Sequence, residues 1–124
     1  MSITIQAIRP QQQAPVKGCS VHPNMLDKLR RAGLEERQIL TDARPLMGSS
    51  ARENLEGRGF ALESESDEQV ILGLGQPQLY LSGQRAVLKS NGAVELLTFA
   101  ERWVQIIRVD ALGRVEHNSI QKLP

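Results

Sequence analysis

The sequence predicts an α+β fold: a helical cluster over about 24–57, then an antiparallel β-meander from about 60 to the end. Three observations predict it. Between Pro23 and Gly57 apolar residues recur at helical spacing, interrupted by Gly33 and Pro45. From Val70 onward short apolar runs alternate with turn residues, and no helix-length pattern separates them, which favours neighbouring antiparallel strands. Asn91-Gly92 lies between two such runs, where the pair would supply the positive φ angles of a type I′ hairpin turn.

At the N-terminus Ile3, Ile5 and Ala7 alternate with Thr4 and Gln6, the period of a half-buried strand. Arg9-Pro10 ends it, and residues 11–18 show no periodicity and read as a tether. Asn24 is the expected cap of a first helix, with Asp27 in its first turn and an apolar stripe of Met25, Leu26, Leu29 and Ala32. Gly33 is placed to stop it in a left-handed conformation. Leu34, Ile39, Leu40 and Ala43 predict a second helix over Leu34 to Arg44, which Pro45 cannot continue. Ser50 and Glu53 spell a capping box for a third over 50–57, with Gly57 as its stop. Phe60 and Leu62 suggest a short strand, and the run from Glu63 to Glu68 reads as a solvated acidic loop.

Val70 to Leu74 is the next expected strand, broken at Gly75-Gln76-Pro77 and resumed at Leu79-Tyr80-Leu81. Ser82-Gly83 reads as a turn, residues 85–90 are expected to pair with 93–98, and 114–120 forms the last strand. Trp103 to Val109 is apolar on both faces, with Trp103, Ile107 and Val109 on one and Val104 and Ile106 on the other. The organisation is then an N-terminal strand and flexible tether (1–22), a helical cluster (23–62), an acidic loop (63–69) and a β-sheet region (70–124), in one compact domain.

Composition limits the function classes. With 124 residues the chain buries enough surface to hold a core without metal or disulfide. A single cysteine excludes an internal disulfide framework and an all-cysteine zinc site. No stretch is apolar enough to span a membrane and the N-terminus does not read as a signal peptide, so a cytoplasmic, soluble protein with no membrane partner is the expectation. Residues 1–62 carry a net +3 and residues 63–124 a net −2, short of the strongly basic face of most nucleic-acid modules. Arginine outnumbers lysine by 11 to 4, which fits a GC-rich bacterial genome.

The chemistry-bearing motifs are sparse. Cys19 and His22 stand three apart, offering two zinc ligands or a thiol with a base, but the chain holds no second cysteine and only one other histidine, His117. Gly73-Leu74-Gly75 lacks both the third glycine and the following helix of a dinucleotide site. No G-x-S-x-G elbow occurs. These patterns imply no catalytic residue, no metal and no cofactor. The helical cluster has the outline of a helix-turn-helix, for which Lys28, Arg30, Arg31 and Arg52 are the nucleic-acid candidates, although Glu35, Glu36 and Asp42 would oppose phosphate. The leading expectation is a non-enzymatic protein–protein interaction module: an accessory or assembly component of a bacterial or phage system, with a protein partner or self-association as a homodimer. Trp103, Phe99, Ile107 and Val109 are its interface candidates. A small DNA-binding regulator is the alternative.

Overall fold

A computed structural model describes residues 16–124. The strand expected over Ile3–Ala7 lies outside the described residues. Six strands form one sheet: β1 (Ala61–Glu65), β2 (Gln69–Gly75), β3 (Ser82–Lys89), β4 (Val94–Ala100), β5 (Trp103–Val109) and β6 (Val115–Lys122). Each pairs antiparallel with the next, in the order β1-β2-β3-β4-β5-β6. Two helices, α1 (Pro23–Arg31) and α2 (Ala51–Gly57), complete the α+β architecture. Among the described residues no helix is long and apolar enough to cross a membrane.

The two helices have nine and seven residues, too short to persist alone in water, so packing holds them. Met25, Leu26 and Leu29 of α1 and Leu55 of α2 turn inward onto Leu72, Ala86, Leu96 and Ile107 of the sheet. Leu29 and Leu55 are fully buried, each contributing about 1.5–3 kcal/mol by removal from water. The opposite face carries a smaller cluster, Leu97, Phe99, Val104 and Ile106, against which Tyr80 and Leu123 pack. The two-sided apolarity of Trp103 to Val109 thus reflects a strand with buried residues on both faces.

Several local expectations are corrected. His22, not Asn24, caps α1: its Nδ1 accepts from the Asn24 N–H at 3.1 Å. No helix forms over Leu34 to Arg44. Residues 35–39 make turns, and the next stretch crosses an extended strap of residues 18–22 through a Ser20–Asp42 bridge. Val21 N–H donates to the Thr41 carbonyl at 2.8 Å, and the Ala43 N–H to Cys19 O at 3.3 Å. Tertiary partners for these backbone groups outweigh a weak helical pattern. Only a 3₁₀ turn, Arg44–Leu46, follows. At α2 Ser50 occupies the cap position but makes no side-chain capping bond, so the capping box does not close.

The acidic run is sheet rather than linker. Glu63, Ser64 and Glu65 belong to β1, and residues 66–68 are the hairpin turn to β2. Arg85 Nε donates to Glu63 Oε1 at 2.8 Å, and Arg52 Nη1 to Glu65 Oε2 at 3.1 Å. Charge on an edge strand is what discourages pairing with another chain. Leu79 lies in a 3₁₀ turn (Pro77–Leu79), Tyr80 takes a positive φ of 54°, and Ser82-Gly83 opens β3, so no strand runs through Leu79-Tyr80-Leu81. The β3–β4 hairpin forms as expected, with Arg85 opposite Leu97 and Leu88 opposite Val94. Its turn is not type I′: only Gly92 has a positive φ, at 91°. Gly92 N–H closes on Lys89 O at 3.0 Å and Asn91 Oδ1 accepts from the Ala93 N–H at 2.9 Å.

Candidate functional site

The helix-bearing face of the sheet is studded with side-chain amides that hold irregular backbone in place. Gln84 Oε1 accepts from the Leu40 N–H at 2.7 Å while its Nε2 donates to Leu40 O at 2.9 Å and to Thr98 Oγ1 at 3.0 Å. Gln105 Oε1 accepts from the His22 N–H at 2.7 Å, and its Nε2 donates to Asn118 Oδ1 at 2.9 Å and to Ser20 O at 3.2 Å. Asn118 Nδ2 in turn donates to Gly18 O at 2.8 Å. Gly18, Ser20 and His22 alternate along the strap, so the amides act as a substitute strand edge for it. Gln84 and Gln105 are completely buried, and in this setting such fully paired networks rigidify what they join.

That rigid strap forms one wall of an open groove of about 500 Å³. Val16, His22, Asn24, Met25 and Lys28 line one side, from the strap and the first two turns of α1, with Trp103 and Ile120 of the sheet opposite. Trp103 starts β5 and faces Lys122 across the β5–β6 pair; the Lys122 Nζ sits 5.9 Å from the ring centroid, within cation–π range. Lys28 Nζ donates to Glu101 Oε2 at 2.9 Å. The Lys28 hydrogen bond lowers the Glu101 pKa against a smaller opposing effect of desolvation. Glu101 itself has a positive φ of 58° in the two-residue β4–β5 turn, a conformation that costs a non-glycine residue about 1 kcal/mol or more.

Of the four interface candidates only Trp103, half-buried, reaches solvent. Phe99, Ile107 and Val109 are fully buried in the monomer, Phe99 in the smaller cluster on the face opposite Trp103 and the other two in the main core. The nucleic-acid candidates are all engaged with carboxylates: Lys28 with Glu101, Arg30 with Glu36, Arg31 with Asp27, and Arg52 with Glu56 and Glu65. With no helix over 34–44, the helix-turn-helix outline is absent from the described residues.

Cys19 and His22 do not form a catalytic pair in this arrangement. The Cys19 thiol donates to Asp42 Oδ1 at 2.8 Å, while His22 Nδ1 is spent on the α1 cap. Burial first, then the hydrogen bond and charge of Asp42, push the Cys19 thiol above its ordinary pKa. Desolvation opposes ionisation of Asp42, but hydrogen bonds from Cys19 and Arg44 outweigh it and hold the carboxyl below its ordinary value. A raised thiol pKa gives stability that is present below the ordinary thiol range and lost as pH rises through the folded value. Alkylation of Cys19 by iodoacetamide near neutral pH is therefore expected to be much slower than that of a free thiol, and to reach the free-thiol rate only on unfolding. A fast reaction in the folded chain would reinstate Cys19 as a nucleophile. Among the described residues no group of three or more His, Cys, Asp or Glu is placed to hold a metal.

Sequence reasoning missed Gln84, Gln105 and Asn118, whose partners lie far off in the chain, and Lys122, whose place beside Trp103 depends on strand register. Compared with known protein families, with curated proteins and with solved structures, the chain matches none.

Proposed function

We propose that the protein is a non-enzymatic interaction module, an accessory or assembly component that receives a protein partner in the groove beside Trp103. The observation that carries this reading is the half-buried tryptophan in an open cleft beside Met25 and Ile120, one wall of which is the strap held by Gln105 and Asn118. Tryptophan in a partly desolvated pocket is the composition of an interface anchor. A bacterial or phage source fits the arginine-rich composition.

The reading is tested by capture from a lysate of the source organism with two forms of the chain, wild type and Trp103→Ala. A specific partner retained by the wild type and lost from Trp103→Ala, while circular dichroism shows both folded, is the expected result. A partner retained equally by Trp103→Ala would place recognition elsewhere.

A further inference from the structure

The sheet is apolar on both faces, and the helices cover one of them. On the other, Leu97 lies opposite Ile106 and Phe99 opposite Val104 across the β4–β5 pair, a compact apolar block. No residue of α1 or α2 belongs to this cluster, and among the described residues the partly buried hydrophobics packed against it are Tyr80 and Leu123. Yet Phe99 and Val104 are 0% exposed and Ile106 2%. The seclusion reaches past the block: Arg85, opposite Leu97 on β3, and Gln121, opposite Val104 on β6, are each 9% exposed. A sheet face without a second layer leaves its side chains in water, so burial from β3 to β6 takes a covering element. Gln121 also holds the one buried side-chain polar atom without a partner among the described residues. Its Nε2 donates to Ser119 Oγ at 3.2 Å, while its Oε1 accepts nothing.

Fifteen residues precede Val16 in the sequence, and the chain enters the described residues close to this face. Gly18 O accepts from Asn118 Nδ2 of β6, and Val16 lies beside Trp103 and Ile120. Because β6 is the last strand of the sheet, Val16 stands near an edge one strand away from Val104. Residues 9–15, drawn out, reach about 23–25 Å, enough to pass round β6 between layers about 10 Å to either side of the sheet. Residues 3–8 span about 20 Å, and the three strand spacings from β3 to β6 about 14 Å. In that stretch Ile3, Ile5 and Ala7 alternate with Thr4 and Gln6.

We infer that the second apolar face of the sheet is the docking site of the chain's own segment 3–8. The segment passes round the β6 edge, lays Ile3, Ile5 and Ala7 on Leu97, Phe99, Val104 and Ile106, and turns Thr4 and Gln6 to solvent. Where it crosses β6, one of its backbone N–H groups donates to Gln121 Oε1. A short tether at the sheet edge holds the segment at an effective concentration in the millimolar range, which favours it over a second copy of the chain. The groove beside Trp103 lies on the other face, so this docking is independent of the proposed function.

The test uses the full chain. In uniformly labelled wild-type protein, nuclear Overhauser contacts are expected from the methyls of Ile3 or Ile5 to the Phe99 ring and to the Val104 and Ile106 methyls. A mixture of labelled and unlabelled chains should show no such contact between chains. Ile5→Asp is expected to lower the thermal midpoint by about 5–10 °C, whereas Thr4→Asp, on the outward side of the same segment, should shift it by less than about 2 °C. Contacts of Ile3 and Ile5 with Met25 and Trp103 instead, contacts with no part of the sheet, or contacts found only between chains would overturn the inference. So would equal melting of the two variants.

Discussion

Phe99→Ala is expected to lower the stability of the fold by about 3–5 kcal/mol. Phe99 is fully buried in a cluster with Leu97 and Val104, its ring stands 5.4 Å from that of Tyr80 in a tilted arrangement, and the Arg85 guanidinium lies 6.0 Å from the ring centroid. Truncation removes a large apolar surface from a close-packed site and leaves a cavity, and the tilted ring pair adds about 0.5–1.5 kcal/mol beyond area. Chemical denaturation followed by circular dichroism measures the loss. A surface aromatic reserved for a partner would behave otherwise: little stability would be lost, and association instead would fail. The same experiment on Phe99 and on Trp103 therefore separates core from interface on one sheet.

Gln84→Leu is expected to cost about 2–5 kcal/mol even though it makes a buried position more apolar. The side chain bonds both backbone polar groups of Leu40, accepting from its N–H at 2.7 Å and donating to its carbonyl at 2.9 Å, and leucine can do neither. A buried backbone donor and acceptor left without partners cost about 1–3 kcal/mol each, which exceeds the gain from the added methyl surface. Loss of the Thr98 contact adds to it. Gln78→Leu, at an exposed position, is the control and should change stability by no more than about 0.5 kcal/mol. Equal effects at the two positions would show that Gln84 does not clamp Leu40.

The sheet was legible in the sequence where a strand announces itself locally. The breaks at Gly75-Gln76-Pro77 and Asn91-Gly92 and the two-faced run at Trp103 depend on neighbours a few residues apart, and the strands they bound form, whereas Leu79-Tyr80-Leu81 does not make one. The segment 34–44 failed because its apolar residues fit a helix about as well as an irregular strap, and what decided between them was Gln84, 44 residues from Leu40 in the chain. An amide on a strand reads locally as a surface residue; only the strap lying across it makes it core. The acidic run misled for a similar reason. Its glutamates face Arg52 and Arg85, and those partners become adjacent only after the hairpin closes. Trp103 was legible as the aromatic of interest, but not the groove, which needs α1, the strap and Ile120 of β6 brought together.

We propose that recognition takes place in the groove beside Trp103, while Phe99, Ile107 and Val109 serve the core. Backbone amide shifts of the isotope-labelled protein, recorded with and without its captured partner, test it most directly. The largest changes are predicted for residues 16–28, 101–104 and 120–123, with the β1–β2 turn and the exposed Leu112 at the β5–β6 turn unmoved. Changes centred on that turn or on the β1 edge, with Trp103 undisturbed, would contradict it.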